Sequence, residues 1–110
     1  WSDAKAVCLA DGAHLPIVDD ATEAANGLIG DWIGITDVAM EGSWRTVFGD
    51  AAAYLPWASG EPGIDMTENC GRLDDVTKLF EAKGCGELRD FSCECEIGEK
   101  LRMLSGLPGR

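Results

Sequence analysis

The sequence predicts an α+β domain, and three observations carry that reading. Helical spacing dominates residues 1–30, and short apolar or alternating runs rich in β-branched residues come after it. Cysteines run from Cys8 near the start to Cys70, Cys85, Cys93 and Cys95. Cysteine use of this kind suits a small domain stapled in an oxidising compartment.

The elements follow in order. Ser2 is placed to cap a helix over residues 3–10, with Trp1, Ala4 and Cys8 on one face and Gly12 ending it. A second helix is expected over 21–29. Asp20 is its cap, Glu23 completes a capping box, Ala21, Ala24 and Leu28 form its apolar stripe, and Gly30 stops it. Trp32-Ile-Gly-Ile-Thr36 is short, apolar and β-branched, a buried strand. Ser43–Phe48 alternates, which predicts a strand with Trp44, Thr46 and Phe48 on one face, closed by a turn at Gly49-Asp50. From Ala51 to Asn69 the pattern dissolves, because Pro56, Gly60, Pro62 and Gly63 forbid a long regular element. Tyr54, Leu55 and Trp57 predict that this long loop is ordered and anchored to the core. Asn69–Leu73 and Leu88–Ile97 are the last expected strands. Lys100–Ser105 is expected to be a short helical piece ahead of Gly106-Leu-Pro-Gly. No internal repeat or low-complexity segment is present.

Bulk properties bound the function. At 110 residues the chain is one domain with a modest core, and 45% apolar content is ordinary for a globular protein. A net charge of −11 repels nucleic acid and anionic membrane, so neither is an expected partner. Acidity of this degree suits solubility, cation binding or a basic partner. No run reaches the roughly 18 apolar residues of a membrane span. The sequence starts at Trp1 and not at Met, so a processed, trimmed or incomplete chain is expected. Neither Asn26 nor Asn69 stands in an N-x-S/T acceptor.

Catalytic and metal motifs are sparse. His14 is the single histidine and sits in a Gly-Ala-His-Leu segment that reads as structural. Cys70, Cys85, Cys93 and Cys95 lack the paired Cys-x2-Cys spacing of a zinc site. No Ser/His/Asp arrangement, P-loop or dinucleotide motif occurs, so no enzyme is expected. The pairing of the five cysteines is left open by their spacing.

Taken in order, the pieces Trp1-Ser-Asp-Ala-Lys-Ala-Val-Cys8, Gly12-Ala-His-Leu-Pro16, Trp32-Ile-Gly-Ile35, Gly42-Ser-Trp44, Trp57-Ala-Ser-Gly-Glu-Pro62, Glu68-Asn-Cys70 and Phe91-Ser-Cys-Glu94 resemble the C-type lectin-like domain. The resemblance covers residues 1 to 97 and leaves 98–110 as a tail. It implies two helices flanking two small antiparallel sheets and a long ligand loop. It also implies the bridges Cys8–Cys93 and Cys70–Cys85, and a cis bond between Glu61 and Pro62. The family's N-terminal strand, which would pair near Phe91–Ile97, is not within this sequence.

In sugar-binding members a calcium ion is held by side-chain oxygens that also hydrogen-bond sugar hydroxyls, since Ca²⁺ takes six to eight oxygens. Glu61, Pro62 and Glu68 match that set. Gly63 stands where an amide is needed, Glu81 is a substitute ligand, and Ala82 offers no oxygen. The resemblance therefore implies ligand-binding positions Glu61, Pro62, Gly63, Glu68 and Glu81 with the sugar-coordinating calcium lost. A separate auxiliary calcium position implies Asp37, Glu41, Asp65 and Glu68 as ligands. The expected function is an extracellular, non-enzymatic recognition module for a glycan or protein ligand. The alternative is an assembly module of an extracellular polymer, joined to other chains through Cys95, which the two bridges leave over, and through the tail.

Overall fold

The structure, a computed structural model, describes residues 1–25, 31–97 and 100–105. Its elements are α1 (Ser2–Ala10), α2 (Ala21–Ala25), β1 (Trp32–Thr36), β2 (Arg45–Thr46), β3 (Cys70–Leu73), β4 (Phe80–Lys83), β5 (Ser92–Ile97) and β6 (Lys100–Ser105). One sheet has the order β2-β1-β3-β4 and the other is the pair β5-β6, with antiparallel pairing throughout.

α1 starts one residue earlier than expected. Trp1 is the N-cap, Ser2 lies inside the helix, and no side chain caps it. A tertiary contact anchors this end of the helix: the Trp1 indole Nε1 donates to the Ile33 carbonyl at 2.7 Å. Ala4 and Cys8 are buried on the predicted face. α2 carries the expected cap, with Asp20 Oδ1 accepting from Glu23 N at 2.8 Å. Glu23 reaches back one residue further than a capping box requires, accepting from Asp19 N at 2.6 Å. The expected Leu28 contact and Gly30 stop lie outside the described residues.

β1 is buried on both faces, as its unbroken apolar run requires. Ile33 and Ile35 point into a cluster with Val18, Ala24, Trp44, Leu73, Phe80 and Ala82. Trp32 points the other way, against Ala4, Cys8, Ala13, Leu15 and Cys93. The disulfide Cys8–Cys93 ties α1 to β5, and Cys70–Cys85 ties β3 to the segment after β4.

Four sequence expectations are corrected. Ser43–Phe48 forms only the two-residue β2, because Thr46 N turns to the Asp50 carbonyl and Gly49, at φ +92°, closes a tight turn. Trp44 is buried while Phe48 is 61% exposed, so they share no face. β4 was not anticipated; its Phe80-Glu-Ala-Lys83 run pairs with β3 from Cys70↔Lys83 to Leu73↔Phe80. β5 starts at Ser92 and not at Leu88, since Leu88 is fully exposed and the Asp90 carbonyl is taken by the amides of Asp31 and Trp32. Lys100–Ser105 is a strand and not a helix, paired with β5 from Ser92↔Ser105 to Ile97↔Lys100. Non-local pairing outweighs the weak local preference of so short a segment.

Candidate functional site

The long loop leaves β2 and returns at β3, and it is stitched to the sheet along its length. Ala52 N donates to the Trp44 carbonyl, Phe80 N to the Pro56 carbonyl at 2.8 Å, and Ala58 N to the Phe80 carbonyl at 2.9 Å. Tyr54, Leu55 and Trp57 pack on the Ile33–Ile35 cluster. Trp57 meets Trp44 edge-on at 4.9 Å and Phe80 at 6.2 Å. The loop is ordered because its aromatic residues are part of the core.

Beyond Trp57 the chain turns through Gly60, at φ +81°, to Glu61 and Pro62, which are joined by a cis bond. The Glu61 carboxylate accepts from Ala82 N at 2.8 Å. This bond fastens the loop to β4 and occupies one Glu61 oxygen within the protein. Ala82 is itself fully buried. Gly63 follows at φ +75°, a conformation that side chains rarely adopt, and it brings no side-chain oxygen.

Two of the predicted ligand carboxylates, Glu61 and Glu81, are engaged within the protein. Glu81 on β4 lies directly opposite Arg72 of β3, bonded to its guanidinium at 2.7 Å, with the Lys83 ammonium 3.7 Å away. Arg72 also holds Asp31 at 2.8 Å and Asp74 at 3.5 Å. Glu81 therefore belongs to an ion-pair network, while Glu61 is turned to the Ala82 amide.

The auxiliary set is partly assembled. Asp37 follows β1 and is 2% exposed. Its Oδ2 accepts from Gly42 N at 2.8 Å, while its buried Oδ1 has no partner. Glu41 stands beside it. Its carboxyl is held above the usual 4.5, first by lost hydration, then by the charge and hydrogen bonding of Asp37 and by the charge of Asp65. Asp65 is held below its usual value by Thr67, whose amide and hydroxyl bond its Oδ1 at 2.8 and 2.6 Å. Glu68 donates its amide to the Asp65 carbonyl at 3.1 Å. Among the described residues, no three His, Cys, Asp or Glu side chains are gathered tightly enough to hold a metal ion as they stand.

The structure gives Asn69 a larger part than its motif implies. Its carbonyl accepts from Asp37 N at 3.1 Å and from the Thr36 hydroxyl, and its Oδ1 is buried without a partner. It thus joins the return of the loop to the Asp37 turn. Its place directly before Cys70 is the one sequence signal that could have found it.

No family model matches the chain. Among curated proteins, the lectin BRA-3 of Megabalanus rosa is 28% identical over 108 residues, covering 88% of this chain and 65% of that lectin. The chain thus spans a little under two thirds of that relative. Among solved structures, the mouse scavenger receptor C-type lectin carbohydrate-recognition domain is 27% identical, with a TM-score of 0.73 over 84% of this chain and 78% of that one. Herring type II antifreeze protein is 25% identical, with a TM-score of 0.76 over 84% of this chain and 80% of that one. This chain is a C-type lectin-like domain.

Proposed function

We propose that the domain is an extracellular, non-enzymatic recognition module that takes a glycan or protein ligand on its Ala51–Asn69 loop without a calcium ion bridging protein and sugar. The bond from Ala82 N to Glu61 carries this reading. It directs the first expected ligand carboxylate inward, beside two positions, Gly63 and Ala82, that have no side-chain oxygen. Glu81 is likewise engaged by Arg72. The protein holds its loop by hydrogen bonds and aromatic packing where a cation would otherwise do so. Two disulfides favour an oxidising, extracellular setting. Relatives in this fold include lectins and an antifreeze protein, so the fold accommodates different ligands.

A calcium ion in this reading serves structure, at Asp37, Glu41, Asp65 and Glu68. The orphaned Asp37 Oδ1 and the Glu41 carboxyl beside it, whose charged form is disfavoured there, fit a cation that would pair with both. A glycan and protein array, probed with the Asp37→Asn variant in calcium and in chelator, tests the function. Binding unaffected by chelator supports it. Calcium-dependent binding by this variant would put a cation against the ligand, and absence of any binder would remove the recognition role.

One observation favours a second reading, assembly. Cys95 is the free cysteine among the described residues, half-buried on β5 with its Sγ 4.0 Å from the Gly12 carbonyl oxygen. Non-reducing mass spectrometry of native material distinguishes this reading: a Cys95-linked dimer supports it, and a freely alkylated Cys95 ends it.

A further inference from the structure

A groove of about 990 Å³ lies between the start of α1, the first residue of β1 and the 85–91 segment. It shares no residue with the Ala51–Asn69 loop or with the Asp37–Glu68 acidic set. Its volume is that of a ligand-binding cleft. Trp1, Val7 and Phe91 line it and are half-buried, and Leu88 at its margin is 99% exposed. No described part of the chain covers that leucine.

The charges in the groove do not balance. Four carboxylates line it, on Asp3, Asp31, Glu87 and Asp90, against two cations, the Arg89 guanidinium and the Trp1 ammonium, which feels the charge of Asp3. Arg89 is already engaged, with Asp31 at 3.1 Å and Glu87 at 2.6 Å. Asp31 is further shared with Arg72. No ion pair among the described residues takes up Asp3 or Asp90, and both are exposed. The surplus is therefore negative, on a chain whose net charge is −11.

We propose that this groove docks an extended cationic segment of a partner protein. A lysine or arginine of that segment meets Asp3 and Asp90, and a neighbouring aliphatic or aromatic residue packs on Leu88, Val7 and Phe91. Charge complementarity selects this occupant, because an anionic one would be repelled. A neutral sugar is a poorer fit, since the Trp1 and Trp32 faces it would stack on are covered. Lys5 lies over the Trp1 ring at 5.7 Å and Arg89 over the Trp32 ring at 5.7 Å.

An arrayed library of acetylated hexapeptides, probed with the intact domain, tests the proposal. Enriched peptides should carry lysine or arginine beside a leucine or aromatic residue, and should shift the Trp1 and Trp32 indole signals in NMR spectra. The double variant Asp3→Asn, Asp90→Asn should weaken binding about three- to tenfold and flatten its salt dependence. Leu88→Ser, at a position exposed in the free protein, should weaken it on the order of tenfold with an unchanged melting midpoint. Enrichment of neutral or acidic peptides, shifts confined to the long loop, or no peptide above background would each overturn the proposal. The loop's own binding assay is unaffected by these outcomes, so the two readings fail separately.

Discussion

Replacing Asp37 with asparagine should change sign with calcium. Asp37 is buried, with one oxygen bonded to Gly42 N and the other unpartnered, and the Glu41 carboxylate lies beside it. Extracellular calcium modules commonly bind with Kd on the order of 10⁻⁴ to 10⁻³ M. At about 10 mM calcium, such a site stabilises the folded domain by RT ln(1 + [L]/Kd), roughly 1.4–2.7 kcal/mol. For a domain of this size that is a rise in melting midpoint of roughly 5–12 °C. Asp37→Asn should abolish most of that rise. In chelator the same variant should match or exceed the parent, by up to about 1 kcal/mol, because it keeps an oxygen for Gly42 N and removes an unpaired buried charge. Differential scanning calorimetry of both proteins in calcium and in chelator provides the four midpoints. Equal parent midpoints in the two conditions would refute the cation site. A variant much less stable than the parent in chelator would refute the account of the orphaned oxygen.

Other outcomes follow from neighbouring contacts. A Cβ on Gly71 would overlap Ile35 Cγ1 and lie 2.8 Å from its Cδ1, so Gly71→Ala should cost about 1–3 kcal/mol. Ile35→Ala alone should cost about 2–5 kcal/mol, and urea melts of the double variant should fall short of the sum by 1 kcal/mol or more, about the size of coupling expected between touching residues. Glu61→Ala leaves the buried Ala82 amide unpaired and should cost about 1–3 kcal/mol. Limited proteolysis should then cut the 51–69 loop faster, while Glu61→Gln, which keeps an acceptor, should protect it. In chelator, Glu41 retains its proton to higher pH in the folded state than in the unfolded one. Stability from this group should therefore fall as pH rises from its ordinary 4.5 through the raised value, and Glu41→Gln should flatten that limb of the urea-midpoint profile. Asp65, Asp74 and Glu87 are shifted downward, so their contribution is lost only at more acid pH, as pH falls through their lowered values.

Local pattern alone made much of the framework legible. α1 and β1 declare themselves by apolar spacing and the start of α2 by its cap, and the Gly and Pro residues between Ala51 and Asn69 announce an irregular loop. The order of short motifs led to the fold and to both disulfides. These signals are readable because each depends on neighbours a few residues apart, or on a sequence order that can be compared directly. Tertiary structure decided the rest. β4 and β6 exist through their partners β3 and β5, not through their own propensities. Glu81 looks like a ligand in sequence, but the register Arg72↔Glu81 brings it to a guanidinium. Glu61 keeps its identity and its cis proline, yet the Ala82 amide faces its carboxylate. Asp37 is one acid among twenty until burial strips one of its oxygens of any partner. Such outcomes depend on which groups meet across the fold, and a residue's type does not encode the atom that will face it.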